Sequence, residues 1–205
     1  RDSLRIRVLP EEAVDFALSV RIPGFAKSAR IRIGEELREA VPGSFHMVKR
    51  CWEKEEEVVV DFEFQAQFVE RPSGMAALRR GPLFYALPIE AEYERVEYVR
   101  DGVERKFPYC DYAIRPKSDW AFGFGAGPVE ALYAEMPQIP FDREKPPVML
   151  EMEMAPLDWQ KEDGMCREKP ESFKPVGEPV KKRLYPYGCT TLRMAEMPRV
   201  ASQDV

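Results

Sequence analysis

The sequence predicts an all-β protein built from two consecutive units, and three observations support this fold class. Apolar residues alternate with polar ones over short segments such as residues 4–8, where Leu, Ile and Val are separated by Arg. Turn residues separate these segments at a spacing of about 8–12 residues, which is typical of a sandwich or a barrel. No segment shows a convincing helical stripe, because residues 86–97, the nearest approach, contain Pro88.

Strands in the first unit, residues 1–80, follow from this alternation. Proline and glycine end several of them, as at Pro23-Gly24, Gly34 and Pro42-Gly43. The charged run Glu53 to Glu57 is interpreted as a solvated hairpin connection. The predicted strands are residues 4–8, 16–22, 30–33, 45–49, 58–64, 68–71 and 75–79.

The second unit, residues 81–205, begins where Gly81 and Pro82 interrupt the backbone before a short apolar strand. Asp101-Gly102 predicts a hairpin turn. Residues 155–179 are polar, rich in proline and without periodicity, so we expect a long loop. The predicted strands are residues 83–87, 93–99, 109–114, 119–124, 130–135, 148–154, 181–185 and 191–197.

Composition and charge exclude some classes of function. The net charge of −5 argues against nucleic-acid binding, which needs a basic face. No stretch approaches the ~20 apolar residues of a membrane span, so we expect no membrane partner and a cytoplasmic location. The chain starts at Arg1 without an initiator Met, and we expect it to be a fragment of a longer protein.

The four cysteines, Cys51, Cys110, Cys166 and Cys189, lie far apart in the sequence. No pair has the close spacing of a zinc knuckle, so no metal site is predicted within this chain. Two disulfides are arithmetically possible, but we favour reduced thiols that pack as small apolar side chains.

Two pairs of carboxylates are spaced so that each could be compared with the acid and base of a glycosidase. Asp61 and Glu63 share one face of a predicted strand, as do Glu151 and Glu153, and their neighbours are apolar. They are therefore interpreted as solvent-facing residues. His46 is the single histidine, so no Ser/His or multi-His centre can be built, and no catalytic residue is predicted.

Gly123, Gly125 and Gly127 imitate a phosphate-binding loop. Such a loop requires a following helix, and Pro128 with a poor helical pattern comes next, so a turn is favoured.

The three tryptophans are the candidates for stacking on a sugar ring. Trp52 and Trp120 lie among strand residues and are interpreted as core, whereas Trp159 opens the polar loop and is expected to be the most exposed. A packing role is favoured for Trp159 as well. Trp159 and Trp120 are retained as candidate carbohydrate-binding residues.

Five stretches occur in the order typical of one family: Phe16 to Phe25, Arg50-Cys51-Trp52, Arg80 to Tyr85, Lys117-Ser118-Asp119-Trp120 and Pro186 to Arg193. They resemble the β-L-arabinofuranosidase-type glycoside hydrolases of family 127 and relatives, and the resemblance covers nearly the whole chain. The chain departs from the family at Phe25, where Trp is common, and at Gly34-Glu35, where an Asn-Gly turn is common, so the resemblance does not specify the sugar.

The resemblance implies that residues 1–80 and 81–205 are two consecutive antiparallel β-sandwich (jelly-roll-like) units from the C-terminal region of such an enzyme. It implies that the catalytic centre, a zinc site of cysteines and a glutamate, lies in an N-terminal helical barrel absent from this chain. The fragment itself would hold no cofactor. Its expected partners are its own N-terminal catalytic domain, carbohydrate and a second copy in a homodimer.

Three functions follow from these expectations. The first is a non-catalytic β-sandwich region that supports the catalytic barrel of a glycoside hydrolase. The alternatives are a carbohydrate-binding module, which needs an exposed aromatic patch, and a purely structural sandwich for subunit association.

Overall fold

A computed structural model describes residues 2–162 and 165–200 of the chain. The register is defined for twelve ladders between named strands, and all of them are antiparallel. The predicted all-β antiparallel class is therefore confirmed. Within these residues the helical structure is one 3₁₀ turn, η1 (Tyr187–Cys189), and no helix is long and apolar enough to cross a membrane. The first eight strands are β1 (Ser3–Val8), β2 (Val14–Arg21), β3 (Ser28–Ile33), β4 (Glu36–Ala40), β5 (Phe45–Trp52), β6 (Glu56–Glu63), β7 (Ala66–Glu70) and β8 (Ala76–Arg80).

Twelve further strands follow. They are β9 (Leu83–Pro88), β10 (Ala91–Val96), β11 (Tyr98–Arg100), β12 (Val103–Arg105), β13 (Asp111–Pro116), β14 (Phe122–Phe124), β15 (Glu130–Tyr133), β16 (Val148–Pro156), β17 (Lys161–Glu162), β18 (Met165–Cys166), β19 (Val180–Pro186) and β20 (Arg193–Met194). The chain divides into two compact units: unit 1 contains residues 1–67 and 79–82, and unit 2 contains residues 68–78 and 83–205.

Unit 1 contains a four-stranded sheet in the order β1-β6-β3-β4 and a two-stranded ladder of β2 and β5. Both sheets contribute to one apolar core because each strand alternates its apolar side chains inward. Burying this apolar surface is the main force that holds the two sheets together. The core contains Val20, Ile22, Ala29, Ile31, Ile33, Ala40, Val48, Trp52, Val58 and Val60.

The turn between β3 and β4 depends on Gly34. Its φ of 56° lies in the left-handed region, which glycine adopts without the steric cost of a Cβ atom. The turn sets a register in which Ile33 lies opposite Glu36 and Ala29 lies opposite Ala40. That register places the apolar residues of β3 on the core face.

Unit 2 is organised by a sheet whose strands follow the path β14-β16-β19-β9-β8-β7, with β15 added to β16 and β20 to β9. The central strand β16 alternates as its sequence predicts: Val148, Leu150, Met152 and Met154 are buried. Tyr85, Ala86 and Leu87 of β9 are buried, as expected for the apolar strand after Gly81-Pro82.

A two-stranded ribbon of β10 and β13 forms a separate ladder in unit 2, as does the hairpin of β11 and β12. The predicted hairpin at Asp101-Gly102 is confirmed. Asp101 has φ 55° and Gly102 has φ 75°, the two positive values that a two-residue type I′ turn requires.

Several predicted boundaries were wrong. The strand expected at 191–197 is limited to Arg193–Met194, and that expected at 119–124 to Phe122–Phe124. The expected connection at Glu53 to Glu57 ends earlier, because Glu56 and Glu57 pair with β1. The loop expected at 155–179 contains two short strands, β17 and β18. In each case cross-strand partners, which local composition does not reveal, decide where pairing starts and stops.

Candidate functional site

Trp120 and Trp159, the candidate carbohydrate-binding residues, lie side by side in unit 2. Their rings meet edge to face with centroids 5.8 Å apart. Both are buried, with 7% and 5% of their surfaces exposed, and the indole N–H of Trp159 donates to the carbonyl of Arg167 at 3.0 Å. The expected exposure of Trp159 was therefore wrong, since the polar segment after β16 folds over the indole and satisfies its N–H group.

Trp52 is fully buried in unit 1, as expected for a core residue. Its ring stacks on Phe16 with a centroid separation of 5.3 Å, and its N–H donates to the Phe16 carbonyl at 3.2 Å. This contact joins two of the sequence stretches on which the family resemblance rests, 16–25 and 50–52.

Within the carboxylate pairs, two members already have cationic partners. Glu63 accepts hydrogen bonds from the Lys27 ammonium at 2.7 Å and the Ser28 hydroxyl at 2.8 Å. These hydrogen bonds, that of Lys27 first, lower the pKa of the Glu63 carboxyl below its ordinary value. Glu151 accepts from the Arg183 guanidinium at 3.1 Å across the β16–β19 ladder. Such arrangements are those of surface ion pairs on a sheet.

The glycines near 123 have a packing role. Gly123 lies within β14 rather than in the expected turn, and a Cβ atom there would sit 2.6 Å from Val200 and 3.0 Å from the Pro198 carbonyl. A Cβ on Gly125 would sit 2.7 Å from the Glu153 carbonyl. These positions are glycine because neighbouring chain segments approach closely.

The cysteines are free thiols, with Cys110 and Cys189 buried and Cys51 and Cys166 exposed. Burial, with a smaller effect from Asp142, raises the pKa of the Cys189 thiol. Over residues 2–162 and 165–200, no group of three or more His, Cys, Asp or Glu side chains is arranged to hold a metal ion. The described residues therefore do not fit the zinc centre that the resemblance implies.

A groove of about 440 Å³ in unit 2 brings two distant sequence stretches together. We call it the Asp119 groove. Its walls are the end of β9, the start of β10, Ser118-Asp119, Arg143, part of β19 and residues 189–192. Residues 117–120 and 186–193 are separate stretches of the family resemblance, and sequence analysis did not place them at one site.

Backbone hydrogen bonds hold the floor of this groove. The Ile89 N–H donates to the Leu192 carbonyl at 3.0 Å, and the Lys117 N–H donates to the Glu90 carbonyl at 2.7 Å. The Glu90 N–H donates to the Ser118 hydroxyl at 3.0 Å. Two bonds between backbone groups and one to the short Ser118 side chain thereby join three chain segments, which makes the groove a preformed site.

The stretch Pro186 to Arg193 is shaped by close local contacts. The Thr190 hydroxyl donates to the Tyr187 carbonyl at 2.8 Å, and Arg193 donates to the Thr190 carbonyl at 2.6 Å while lying 3.7 Å from the centre of the Tyr187 ring. A Cβ atom on Gly188 would sit 2.7 Å from the Phe141 ring. These contacts stabilise the turn, and the turn explains why these residue types occur in the stretch.

Comparison with known proteins identifies one matching family model. Residues 1–64 match the family model described as β-L-arabinofuranosidase, GH127 middle domain. No curated protein matches the chain in sequence.

Solved structures are similar to nearly the whole chain. One is a GH127 β-L-arabinofuranosidase from Geobacillus stearothermophilus T6, at TM-score 0.59 and 22% identity, covering 98% of this chain and 29% of that one. Another, described as a glycoside hydrolase, has TM-score 0.51 and 16% identity and covers 97% of this chain and 30% of that one. The chain thus has the fold of part of these proteins and spans less than a third of their length.

Proposed function

We propose that this chain is the β-sheet region of a β-L-arabinofuranosidase-type glycoside hydrolase and that it supports, without catalysing the reaction, a helical-barrel domain of the same polypeptide. The observation that carries the proposal is the match of residues 1–64 to the GH127 middle domain. The similarity in fold to a GH127 enzyme over 98% of the chain supports extending the proposal beyond residue 64.

The two parts of the chain take different places in this proposal. Residues 1–64, which match the middle domain, lie within the proposed first domain, and the second follows it as a C-terminal β domain. The division expected from the sequence, 1–80 and 81–205, is kept as the proposed pair of β-sandwich units.

The interactions of the described carboxylates and cysteines favour a role in which this chain supports catalysis by another domain. Glycoside hydrolysis uses two carboxyl groups that flank the scissile bond or, in the family resembled, a zinc-bound thiolate. Here Glu63 is held by Lys27 and Ser28, and Glu151 by Arg183. Because the cysteines do not fit a zinc centre, the metal and the reaction are assigned to the barrel and no step is derived in this chain.

The outer face of the β2–β5 ladder is proposed as the surface that the barrel covers. Phe45 and Met47 of β5 are 67% and 63% exposed on this face, and the register places Ser19 and Arg21 beside them. A middle domain has neighbours on its own polypeptide, and over two thirds of the GH127 relative lies outside the part matched here. Two large apolar side chains exposed side by side, with polar residues around them, mark a candidate interaction surface.

The test is hydrolysis of a chromogenic β-L-arabinofuranoside. The purified chain should show no turnover, and the remainder of the parent polypeptide should gain stable activity when produced together with this chain. Met47→Glu should weaken that complementation because it places a charge in the proposed interface. Leu37→Glu, at a site on β4 that is 57% exposed, serves as the matched control.

Turnover by the chain alone at the rate of its parent would contradict the proposal. Sedimentation analysis distinguishes the other occupant of the surface: a dimer of the chain that Met47→Glu dissociates would assign this face to a second copy.

A further inference from the structure

The Asp119 groove combines an aromatic wall with polar groups in an open, preformed site. Tyr93 from β10 is 47% exposed, and Tyr185 from β19 is half-buried beside it in the groove lining. Tyrosine rings give rigid contact area with an apolar face and a polar edge. An open groove of mixed polarity suits an extended polar ligand better than a compact apolar one.

The charges of the groove are nearly balanced. Arg183 is neutralised by Glu151 at 3.1 Å. The remaining charged side chains of the lining are the cations Arg143 and Lys182 and the carboxylates Glu90 and Asp119. A phosphorylated or otherwise anionic ligand would need an excess of positive charge, so the groove fits a neutral ligand.

Asp119 and Arg143 are available to such a ligand. Both side chains are exposed, and neither makes an ion pair or a side-chain hydrogen bond with another described residue. A carboxylate accepts hydrogen bonds and a guanidinium donates several in a fixed plane. Together they can bind adjacent hydroxyl groups, each of which both donates and accepts.

The aromatic wall continues along the β10–β13 ribbon. Tyr93 lies opposite Ile114, and Arg95 lies opposite Tyr112, so Tyr93, Ile114 and Tyr112 share one face. Tyr112 is 42% exposed, and the two ring positions are two residues apart along the ribbon, or ~7 Å. Arg95 covers the Phe107 ring at 4.4 Å on this same part of the molecule. The ribbon face therefore carries a second tyrosine, Tyr112, close to the Tyr93 ring that lines the groove.

We propose that the Asp119 groove and the Tyr93–Tyr112 face bind a neutral oligosaccharide. One face of a sugar ring carries C–H groups that pack on the electron-rich face of a tyrosine ring, while its hydroxyls reach Asp119 and Arg143. The choice of sugar over other neutral polar ligands rests on the proposed function. The site is distinct from the buried pair Trp120 and Trp159 on which the sequence-based expectation of carbohydrate binding rested.

The experiment is titration calorimetry of the full chain with neutral tetrasaccharides of arabinose, xylose and glucose and with tetragalacturonate as the anionic comparison. Binding of at least one neutral tetrasaccharide, with tetragalacturonate bound at least about tenfold more weakly, is expected. Tyr93→Ala should lower the association constant about tenfold, whereas Tyr93→Phe, which keeps the ring, should stay within about twofold of the original chain.

Two further variants test a polar contact in the groove and the specificity of the aromatic contact. Asp119→Asn should weaken binding several-fold, because the amide replaces one acceptor oxygen by a donor. Tyr109→Ala removes an aromatic ring that is 79% exposed but outside the groove lining, and should leave binding unchanged.

Absence of binding to every neutral tetrasaccharide, preferred binding of tetragalacturonate, or equal losses for Tyr93→Ala and Tyr109→Ala would each overturn the proposal. These outcomes are separate from the complementation test, since a chain that restores hydrolysis can still fail to bind any tetrasaccharide.

Discussion

The clefts of the two units use charged residues in different ways. Five of the eight charged side chains that line the cleft of unit 1 have an ion-pair partner among the described residues, for example Arg5 with Glu57 at 3.4 Å and Arg50 with Glu56 at 3.2 Å. In the Asp119 groove of unit 2, only Arg183 of the exposed charged lining has such a partner among the described residues. Density of charge is therefore a poor guide to a ligand site, because side chains that satisfy each other have little left for a ligand.

Exposed ion pairs occur on the surfaces of both units: Lys27 pairs with Glu63 at 2.7 Å in unit 1, and Arg115 pairs with Glu94 at 3.1 Å in unit 2. Unit 2 in addition exposes the ribbon face that carries Tyr93 and Tyr112. We therefore propose packing and support for unit 1 and ligand contact for unit 2, a difference that depends on how closely each unit is packed and how its charges are paired.

The largest effect is expected for Trp52→Ala in the core of unit 1. The side chain is fully buried, stacks on Phe16 and donates its N–H to a backbone carbonyl, so its loss leaves a cavity and an unpaired acceptor. The free energy of unfolding should fall by about 3–5 kcal/mol. Amide hydrogen exchange should show faster exchange in β2 and β5, and Trp52→Phe should lose less than the alanine variant.

A smaller loss is expected for Gly123→Ala in unit 2. The added Cβ atom would sit 2.6 Å from Val200 and 3.0 Å from the Pro198 carbonyl, which overpacks the site by about 1–3 kcal/mol. Gly127→Ala is the matched control, since its nearest neighbour would be 3.5 Å away. Denaturant titration measures both, and equal stability of the two variants would show that β14 is not closely packed.

Ion pairs in unit 1 should differ according to their burial. Arg80 donates to Asp2 at 3.1 Å, and the two side chains are only 11% and 23% exposed, whereas those of Arg30 and Glu39 are 61% and 74% exposed. Arg80→Ala should cost about 1–3 kcal/mol because Asp2 is left with its charge partly desolvated. Arg30→Ala should cost less than about 1 kcal/mol. Thermal unfolding compares them, and similar losses would remove burial as the explanation.

The smallest effect is a pH dependence at Glu63. Its pKa in the folded protein is lowered from the ordinary 4.5, chiefly by the hydrogen bond from Lys27. The ionised form thus stabilises the fold; this contribution is complete above 4.5 and is lost as the pH falls through the folded-state pKa. Glu63→Gln should make the melting temperature less sensitive to acid, and carbon NMR titration of Glu63 should show a midpoint below 4.5. A midpoint at or above that value would contradict the assignment.

Some features of the molecule could be predicted from the sequence because they depend on local physics. Alternation in residues 148–154 places each side chain on one face of β16, and Asp101-Gly102 supplies the positive φ values of a tight hairpin. The buried state of Trp52 was predicted from its large apolar ring and its place among strand residues.

Other features could be decided only by the tertiary structure. Trp159 lies in a polar segment, and its burial depends on Trp120 and on the carbonyl of Arg167, neither of which its own neighbours reveal. Gly123 is required by Val200, 77 positions later in the chain. The Asp119 groove exists because β9 pairs with β19 and β20 while β10 pairs with β13, and these pairings together bring residues 118–119 and 189–192 to one place. Local periodicity was enough to predict which segments form most of the strands, whereas cross-strand partners decided where several of them begin and end. The Asp119 groove depends on sheet topology, because its lining residues become neighbours only when distant segments of the chain pair with one another.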